Sequence, residues 1–413
     1  MANSHSDVVV IGGGPSGSTA ATIIAQQGYK VALFERDQFP RFHIGESLIP
    51  QTYWVLKRLK LLEKMKSSHF VKKYSVQFVN QFARLSEPFF FVDHNPHESS
   101  QTWQVRRSEF DEMLLRNAED QQVQVHENTR VTEVLFKDDR AIGVKIKSAD
   151  GQVTDVTSDV VVDASGQSSI LIDRLGLREW DPILKKAAIW TYWKGAFRDT
   201  EKNEGATVVL QTRDNKGWFW YIPLHDDIVS IGVVAGYDYL FQDRESKDFE
   251  AIYLEEVEKC PGLQPRIKQA TRCEKFRAQK EYSYRATQVA GNGWVLVGDA
   301  FGFLDPLYSS GVLLALTSGA MAADTIVEGL SKGDLSETHL RKWEGQFVAG
   351  MDRMRRLVCE FYNGLSFGRF IRAHPEMKDL VTDVLIGDIF KEDVDALWPL
   401  IEKMQEAGAQ HFE

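Results

Sequence analysis

Hydrophobic positions near the start of the chain predict a strand, a turn, a helix and a second strand. Residues 8–11 form a β-branched run, and a glycine turn and a small-residue segment follow it. A second apolar run then ends at an acid, Glu35. A strand, a crossover helix and a second strand form the opening unit of a nucleotide-binding α/β sheet. The first part of the chain is therefore predicted to be such a domain.

Apolar runs in the middle of the chain have the spacing of strands. The segments 186–197, 205–212, 217–224 and 227–236 are predicted to be consecutive strands. In one of them, Trp218 and Trp220 lie two positions apart, so both indoles are expected on one face, and Pro223 ends the run. Such a pair either fills a core or forms the wall of a site.

Three regions follow from these patterns. The predicted class is α/β, with a Rossmann-like nucleotide-binding domain that contains an inserted β-sheet substrate domain. Apolar positions three and four apart near the end of the chain predict a C-terminal helical segment. The predicted boundaries are 1–73, 105–175 and 286–330 for the nucleotide domain, 74–104 and 176–285 for the inserted sheet, and 331–413 for the helices.

Composition excludes several functions. The 413 residues are 43% hydrophobic, and the net charge of -10 comes without a basic run, so nucleic acid is not an expected partner. The three cysteines lie far apart, the first residues lack a signal-peptide pattern, and no apolar stretch is judged long enough for a membrane span. We expect a cytoplasmic protein. No metal site is expected, and His94, His97 and His225 are interpreted as loop or surface residues.

The glycine turn predicts a dinucleotide site. Gly12 suits the tight turn, Gly14 lets the backbone approach a pyrophosphate, and Gly17 lets the helix pack on the strand. The helix N-terminus faces the phosphates, and Glu35 is placed to accept hydrogen bonds from the ribose. NAD and FAD both fit this pattern.

Later segments resemble the flavoprotein monooxygenase superfamily. They are 102–115, 159–169 and 291–326, and the whole resemblance covers roughly residues 5–330. It implies FAD, with Arg107 facing the flavin and Asp299 on its ribityl chain. The alternatives are a surface Arg107, whose role Arg106 would take, and Asp299 as a helix cap. Further residues expected at the FAD are Pro15, Ser16, Arg36, Arg41, Ser47, Val131, Pro306 and Gly311.

Within that superfamily, short motifs resemble the flavin-dependent halogenases. Residues 303–311 have the spacing Phe-x-x-Pro-x-x-Ser-x-Gly, and residues 218–223 read Trp-x-Trp-x-Ile-Pro. A third match is Gly-Glu-Ser-x-x-Pro at 45–50, where Ser47 or Glu46 is alternatively a helix cap. The resemblance implies that Trp218 and Trp220 keep the substrate away from a flavin hydroperoxide.

The first of these motifs also indicates where a halide binds. Ser309, Ser310 and Gly311 begin a predicted helix, whose free N–H groups attract an anion. Chloride or bromide is expected there. Alternatively, these amides contact only the flavin ring, as in related oxidases and reductases.

Lys73 is the expected catalytic lysine. Halogenases carry Lys-x-Gly-x-x-Phe here, and Lys73 matches this motif with Ser75 in the glycine position and Phe78. A partly buried amine with a depressed pKa is nucleophilic, which suits halogen transfer. Lys72 is adjacent and would face the other way on a strand. A solvated surface lysine is the alternative interpretation.

The resulting hypothesis is a halogenase that depends on reduced FAD and O2. A separate flavin reductase supplies the reduced FAD, since no second nucleotide fingerprint is found. Tyr308 replaces the glutamate of the tryptophan halogenases, which favours a phenol or pyrrole, free or tethered to a carrier protein. The alternatives are a flavin reductase of the geranylgeranyl reductase type, an aromatic flavin monooxygenase and a non-catalytic flavin-binding protein.

Overall fold

A computed structural model describes residues 5–365 and 367–409 of the chain. Twenty-one strands lie in this part of the chain: β1 His5–Ile11, β2 Val31–Phe34, β3 Val71–Lys73, β4 Ser75–Val79, β5 Phe89–Phe90, β6 Thr102–Gln104, β7 Gln124–His126, β8 Arg130–Lys137, β9 Arg140–Lys147, β10 Val153–Asp163, β11 Arg178–Trp180, β12 Lys186–Lys194, β13 Thr207–Gln211, β14 Gly217–Pro223, β15 Ile228–Gly236, β16 Thr271–Arg272, β17 Arg277–Lys280, β18 Tyr284–Ala286, β19 Ala290–Gly291, β20 Trp294–Leu296 and β21 Gly302–Phe303.

Thirteen α-helices connect and cover these strands in the described ranges. They are α1 Pro15–Gln26, α2 Thr52–Arg58, α3 Leu62–Lys66, α4 Arg107–Asp120, α5 Ile170–Arg174, α6 Phe249–Glu258, α7 Gln264–Ile267, α8 Ser310–Lys332, α9 Glu337–Leu340, α10 Glu344–Tyr362, α11 Phe367–Ala373, α12 Lys378–Ile386 and α13 Trp398–Ala409.

The first sheet has the parallel centre of a nucleotide-binding fold. Its order is β19-β20-β10-β1-β2-β7, with β9 paired to β10 and β8 to β9. β1 runs parallel to both neighbours, so that Val8 lies opposite Val160 on one side and Val31 on the other. The strands of this centre are buried on both faces because helices cover them, as in other parallel sheets. This topology confirms the predicted α/β class.

Two glycines let helices α1 and α8 pack closely beside this sheet. A Cβ on Gly17 would lie 2.0 Å from the carbonyl oxygen of Gly12, at the turn before α1. A Cβ on Gly319, in α8, would lie 2.5 Å from the carbonyl oxygen of Ser16. Real side chains do not reach such distances, so any larger residue would push α1 away from the turn or from α8.

Helix α8 contradicts one expectation from the sequence. It is long and apolar enough to cross a membrane by length and composition, with a mean hydropathy of 1.5 over its most apolar window. The prediction that the chain has no such stretch was therefore wrong. Alanines and glycines keep this helix apolar while it packs in the interior, and 72% of that window is buried inside the protein. Burial of this kind is typical of a core helix.

The second sheet is mostly antiparallel and buried on both faces. Its order is β16-β12-β15-β14-β13-β4-β5, with β17 also paired to β12 and with β13 parallel to β4. Trp218 and Trp220 of β14 face the core shared with the first sheet. Phe219 and Tyr221 face a separate core that includes Tyr253 of α6. Strand alternation therefore divides β14 between two cores, as predicted for the two indoles.

Gly232 makes room for one of these indoles. A Cβ at Gly232, which lies opposite Trp220 in the β14–β15 pair, would be 2.2 Å from the indole Cζ2. We expect Gly232→Ala to lower the free energy of unfolding by roughly 1 to 3 kcal/mol, because the added methyl overpacks the core. Urea unfolding measures this loss, and tryptophan emission reports the displaced indole.

Gly345→Ala is the matched control for this prediction. Gly345 lies in α10 with open space where a Cβ would stand, so alanine should be neutral or slightly stabilising in the helix. A Gly232→Ala protein with wild-type stability and emission would contradict the packing argument.

Candidate active site

A cavity of about 1170 Å³ lies between the two sheets. The carboxyl ends of β1 and β2 and the start of α8 form one side, and β12 to β14 form the other. Ligands of open α/β sheets bind at this edge. Most residues predicted for the site line it, namely Gly12, Gly14, Pro15, Ser16, Glu35, Arg36, Arg41, Ser47, Arg107, Val131, Trp218, Trp220, Asp299, Pro306, Ser309 and Gly311.

Three predicted residues do not line the cavity. Gly17 packs α1 against the Gly12 turn, which is the role that the fingerprint assigns to it. Ser310 is 1% exposed in the first turn of α8, and Lys73 is 2% exposed on β3. The Ser310 side chain is therefore covered, and the Lys73 amine can meet a ligand in the cavity only when the neighbouring Ser47 hydroxyl moves aside.

At the nucleotide end of the cavity, hydrogen bonds from backbone N–H groups fix the position of the Glu35 side chain. The Glu35 carboxylate accepts hydrogen bonds from the N–H groups of Gly13 at 2.8 Å and Asp37 at 2.9 Å. Helix α1 begins after Gly14 without a side-chain cap, so its first N–H groups are available to a ligand phosphate. An acid at the end of β2 and an open helix terminus fit the ribose and pyrophosphate of FAD.

Arg107 is buried, which excludes the surface role considered from the sequence. Its guanidinium donates to both oxygens of Asp111, at 2.7 and 3.0 Å, and to the carbonyl oxygen of Ile44 at 2.6 Å. Arg106, in contrast, lies near Asp226 at 4.0 Å. Asp111 was not singled out from the sequence, although its position four residues after Arg107 on a predicted helix was a usable signal.

Two carboxyl groups line the cavity close to Arg107. Burial raises the pKa of Glu46 to about 7 and the pKa of Asp299 to about 6, although the Arg107 charge lowers both. One Glu46 oxygen accepts a hydrogen bond from the Tyr192 hydroxyl. The other oxygen has no hydrogen-bond partner among the described residues. A buried unpaired oxygen at the cavity wall is available to a ligand group.

The two predicted indoles form part of the opposite wall. Trp218 donates to the Tyr362 hydroxyl at 3.0 Å, and Trp220 donates to the Ser230 hydroxyl at 3.2 Å. Their ring centroids are 6.5 Å apart. Because both N–H groups are held, the rings have fixed orientations. Trp190 also lines this wall, 6.2 Å from the Trp220 ring.

Tyr362 links the end of α10 to the segment just before α8. Its hydroxyl donates to Asp305, with 3.1 Å between the oxygens, and Asp305 comes just before Pro306. Burial raises the pKa of Asp305 to about 7. This contact could not be predicted from the sequence, because Tyr362 lies at the end of α10, far along the chain from both of its partners.

Lys73 lies behind a pair of hydroxyl groups. Its ammonium donates to the Ser47 hydroxyl at 2.9 Å and to the Leu48 carbonyl oxygen at 3.0 Å. Ser47 is in turn 2.9 Å from the Thr207 hydroxyl, and both of these hydroxyl residues line the cavity. Burial lowers the pKa of Lys73 to about 7, while Lys72 is exposed. The amine is thus one hydroxyl away from the cavity.

The start of α8 presents uncapped backbone at the cavity. Ser309 precedes the helix in the left-handed region, with φ at 56°, and no side chain caps the first turn. A Cβ on Gly311 would lie 3.0 Å from the Phe303 ring, so a side chain there would crowd this wall. Tyr308 is buried beside it, and its hydroxyl has no hydrogen-bond partner in the described ranges.

The raised pKa of Glu46 predicts a pH-dependent stability. The folded carboxyl keeps its proton up to a pKa of about 7, against 4.5 for an ordinary glutamate. This contribution to stability is therefore complete below about pH 4.5 and is lost as the pH rises through about 7. We expect Glu46→Gln to gain stability over the wild type, by roughly 1 to 3 kcal/mol, between pH 5 and pH 8.

Urea unfolding at equal FAD content measures this difference at each pH. Glu258→Gln is the control, because Glu258 is exposed on α6 and should give the same difference from the wild type at both pH values. A Glu46→Gln difference that is equally independent of pH would show that Glu46 has an ordinary pKa.

Comparisons with known proteins agree with this geometry. The family model described as tryptophan halogenase matches residues 7–103 and 81–366. A flavin-dependent halogenase of Armillaria mellea is 36% identical over 98% of this chain and 78% of its own length. A chlorinase of pyrrole-2-carbonyl groups on a peptidyl carrier protein, from Pseudomonas fluorescens, is 31% identical over 94% of this chain and 91% of its own length.

A solved structure extends the similarity to three dimensions. The flavin-dependent brominase Bmp2 superposes with a TM-score of 0.87 at 29% identity, covering 98% of this chain and 100% of its own. The glycine turn, Glu35 and the uncapped start of α1 fit FAD, and the predicted FAD-dependent chemistry with O2 and halide is confirmed. The chain belongs to the flavin-dependent halogenases.

Proposed function

We propose that this halogenase acts on a phenol or a pyrrole, free or tethered to a carrier protein, and that Lys73 passes the halogen to the ring. The observation that carries the proposal is the burial of the Lys73 amine behind Ser47, at a cavity that also contains the glycine turn and both indoles. When bound, reduced FAD would give two electrons to O2 while the halide gives two more, so that chloride or bromide becomes hypohalous acid and one water is released.

The chain's own residues would act at three places in this reaction. The free N–H groups at the start of α8 would hold the halide, near Ser309, Ser310 and Gly311. Trp218 and Trp220, oriented by their hydrogen bonds, would keep the ring away from the flavin. With the Ser47 hydroxyl moved aside, the neutral Lys73 amine would take the halogen from hypohalous acid, releasing water. The N–halogen bond would then break as the ring exchanges a proton for the halogen.

The substrate class rests on two supports. Tyr308 stands where the tryptophan halogenases carry a glutamate, and burial raises the pKa of Tyr308 well above its ordinary value. A neutral phenol cannot take over the work of a carboxylate base, so a ring that stabilises its own cationic intermediate fits this site. In addition, the relatives aligned along nearly their whole length include the pyrrole chlorinase.

A direct assay tests the substrate. The full chain with FAD, NADH, bromide and a separate flavin reductase should brominate a phenol or a pyrrole-2-carboxyl group, as measured by mass spectrometry. The pyrrole is offered both free and on a carrier protein. We expect little product from free tryptophan, and no NADH oxidation without the reductase. The proposal would be overturned if tryptophan were halogenated faster than both the phenol and the pyrrole, or if the only product were hydroxylated.

Substitution of Lys73 tests the transfer step. Lys73→Met keeps the length of the side chain but removes the amine, so halogenated ring should fall on the order of 100-fold. Oxidised halide, captured by a diketone trap, should persist because the lysine acts after halide oxidation. Lys72→Met is the matched control on the exposed side of β3 and should keep both products. Equal ring halogenation in both variants would remove Lys73 from the mechanism.

The lowered pKa of Lys73 adds a pH signature. Because burial lowers this pKa to about 7, the amine becomes neutral and nucleophilic as the pH rises through that value. The ratio of halogenated ring to oxidised halide should rise from about pH 6 to pH 8. Lys73→Arg, which stays charged over this range, should show a low and flat ratio. A wild-type ratio that falls over this range would favour a protonated lysine.

A further inference from the structure

Three side chains from distant parts of the sequence converge outside the residues that line the cavity. His69 precedes β3, Glu109 lies in the first turn of α4, and His225 follows β14. His69 Nε2 is 2.7 Å from Glu109 Oε2, and His225 Nε2 is 3.2 Å from Glu109 Oε1. One ligand atom from each residue lies within 4.8 Å of the others. The Glu109 carboxylate therefore stands between two imidazoles.

The His225 ring supplies an independent indication of a ligand. Its side chain is only 9% exposed, and its Nε2 has no hydrogen-bond partner among the described residues. The other ring nitrogen, Nδ1, is 2.9 Å from the carboxylate of Asp226. When Nδ1 carries the proton and donates it to Asp226, the lone pair of Nε2 faces a carboxylate oxygen. An imidazole lone pair and a carboxylate oxygen that face each other are held together by a cation between them, either a proton or a metal ion.

We propose that His69, Glu109 and His225 bind one divalent cation of the zinc class. Two imidazoles and one carboxylate are a common zinc donor set, with water as the fourth ligand. The nitrogens of His69 and His225 lie 2.7 and 3.2 Å from different oxygens of Glu109, and one ligand atom from each residue lies within 4.8 Å of the others. Binding one metal would therefore require the three side chains to close to the spacing of roughly 3.3 Å between ligands around tetrahedral zinc. His69 is 65% exposed, which leaves a route from solvent and space for the water.

Asp226 supports this site by contacting the His225 ring nitrogen that does not face Glu109. A carboxylate on the second ring nitrogen is the usual partner of a metal-bound histidine, because it fixes the tautomer and makes the ligand more basic. Asp226 stands next to His225 in the loop between β14 and β15, so one short loop provides both the ligand and the group that orients it.

The location outside the residues that line the cavity indicates a structural role for the metal, although three protein ligands and a water are more common in catalytic zinc sites. His69 leads into the strand that carries Lys73, Glu109 follows Arg107 on α4, and His225 follows the strand that carries both indoles. A metal here cross-links the first sheet's helix α4 to the loop that ends β14. It therefore braces the cavity from outside and takes no part in the halogenation.

A metal titration of the full chain tests this proposal. After removal of metal by a chelator, Zn2+ alone is titrated by calorimetry at about pH 7.5, and Co2+ is followed by its visible absorption. We expect one equivalent per chain, a tetrahedral Co2+ band and a rise in the unfolding temperature. A wild-type chain that binds less than one equivalent at micromolar metal would overturn the proposal.

Variants distinguish this site from other places where a metal could bind. His225→Ala and the exposed His69→Ala should each remove the Co2+ band, and Asp226→Asn should weaken Zn2+ binding by about 10-fold or more. His69→Cys should restore binding, because a thiolate is also a zinc ligand. Circular dichroism verifies that each variant is folded.

The control addresses the competing cluster of His5, Asp7 and Asp159. In that cluster His5 Nε2 is 3.8 Å from Asp159, and its side chain is 52% exposed. His5→Ala should bind Zn2+ like the wild type. Loss of binding in His5→Ala together with retention in His225→Ala would move the metal to that cluster and overturn the assignment.

Discussion

The burial of β14 on both faces is the constraint on which the rest of the structure depends. All seven residues of this strand are buried, and its alternation sends the two indoles toward the cavity and Phe219 and Tyr221 toward a separate core. A register slip of one residue would exchange these faces. The substrate wall is therefore built on a strand that both cores hold in place, and such a wall is more rigid than a loop would be.

Few of the charged groups buried around the cavity are firmly ionised. Arg107 and Asp111 pair through two hydrogen bonds, while burial brings the pKa values of Glu46, Asp305 and Lys73 to about 7. A buried charge without an opposite charge beside it is destabilising, so burial shifts the pKa of each of these groups toward its neutral form. The net charge around the cavity is therefore expected to change as the pH passes through about 7.

Much of this architecture could be predicted from the sequence, because the relevant signals are local. The glycine turn with Glu35, the alternation of β14 and the motif around Pro306 each lie within a few dozen residues, and the predicted fold class and family are confirmed. Contacts between distant elements could not be predicted. Three such contacts depend on how the sheets pack: the hydrogen bond of Trp218 to Tyr362, the hydrogen bond between Ser47 and Thr207, and the position of Glu109 between two histidines.

The close contact between Gly232 and Trp220 makes these positions a single volume shared by two residues. Because a Cβ at 232 would overlap the indole, a residue with a side chain at 232 and an indole at 220 cannot both fit in this space. A smaller ring at 220 would open the cavity toward β15, but a side chain at 232 would still lie against Trp190, whose Cβ would be 2.6 Å from the new Cβ. A library that reshapes this pocket should therefore vary positions 190, 220 and 232 together, because a change at one position leaves a void or a clash.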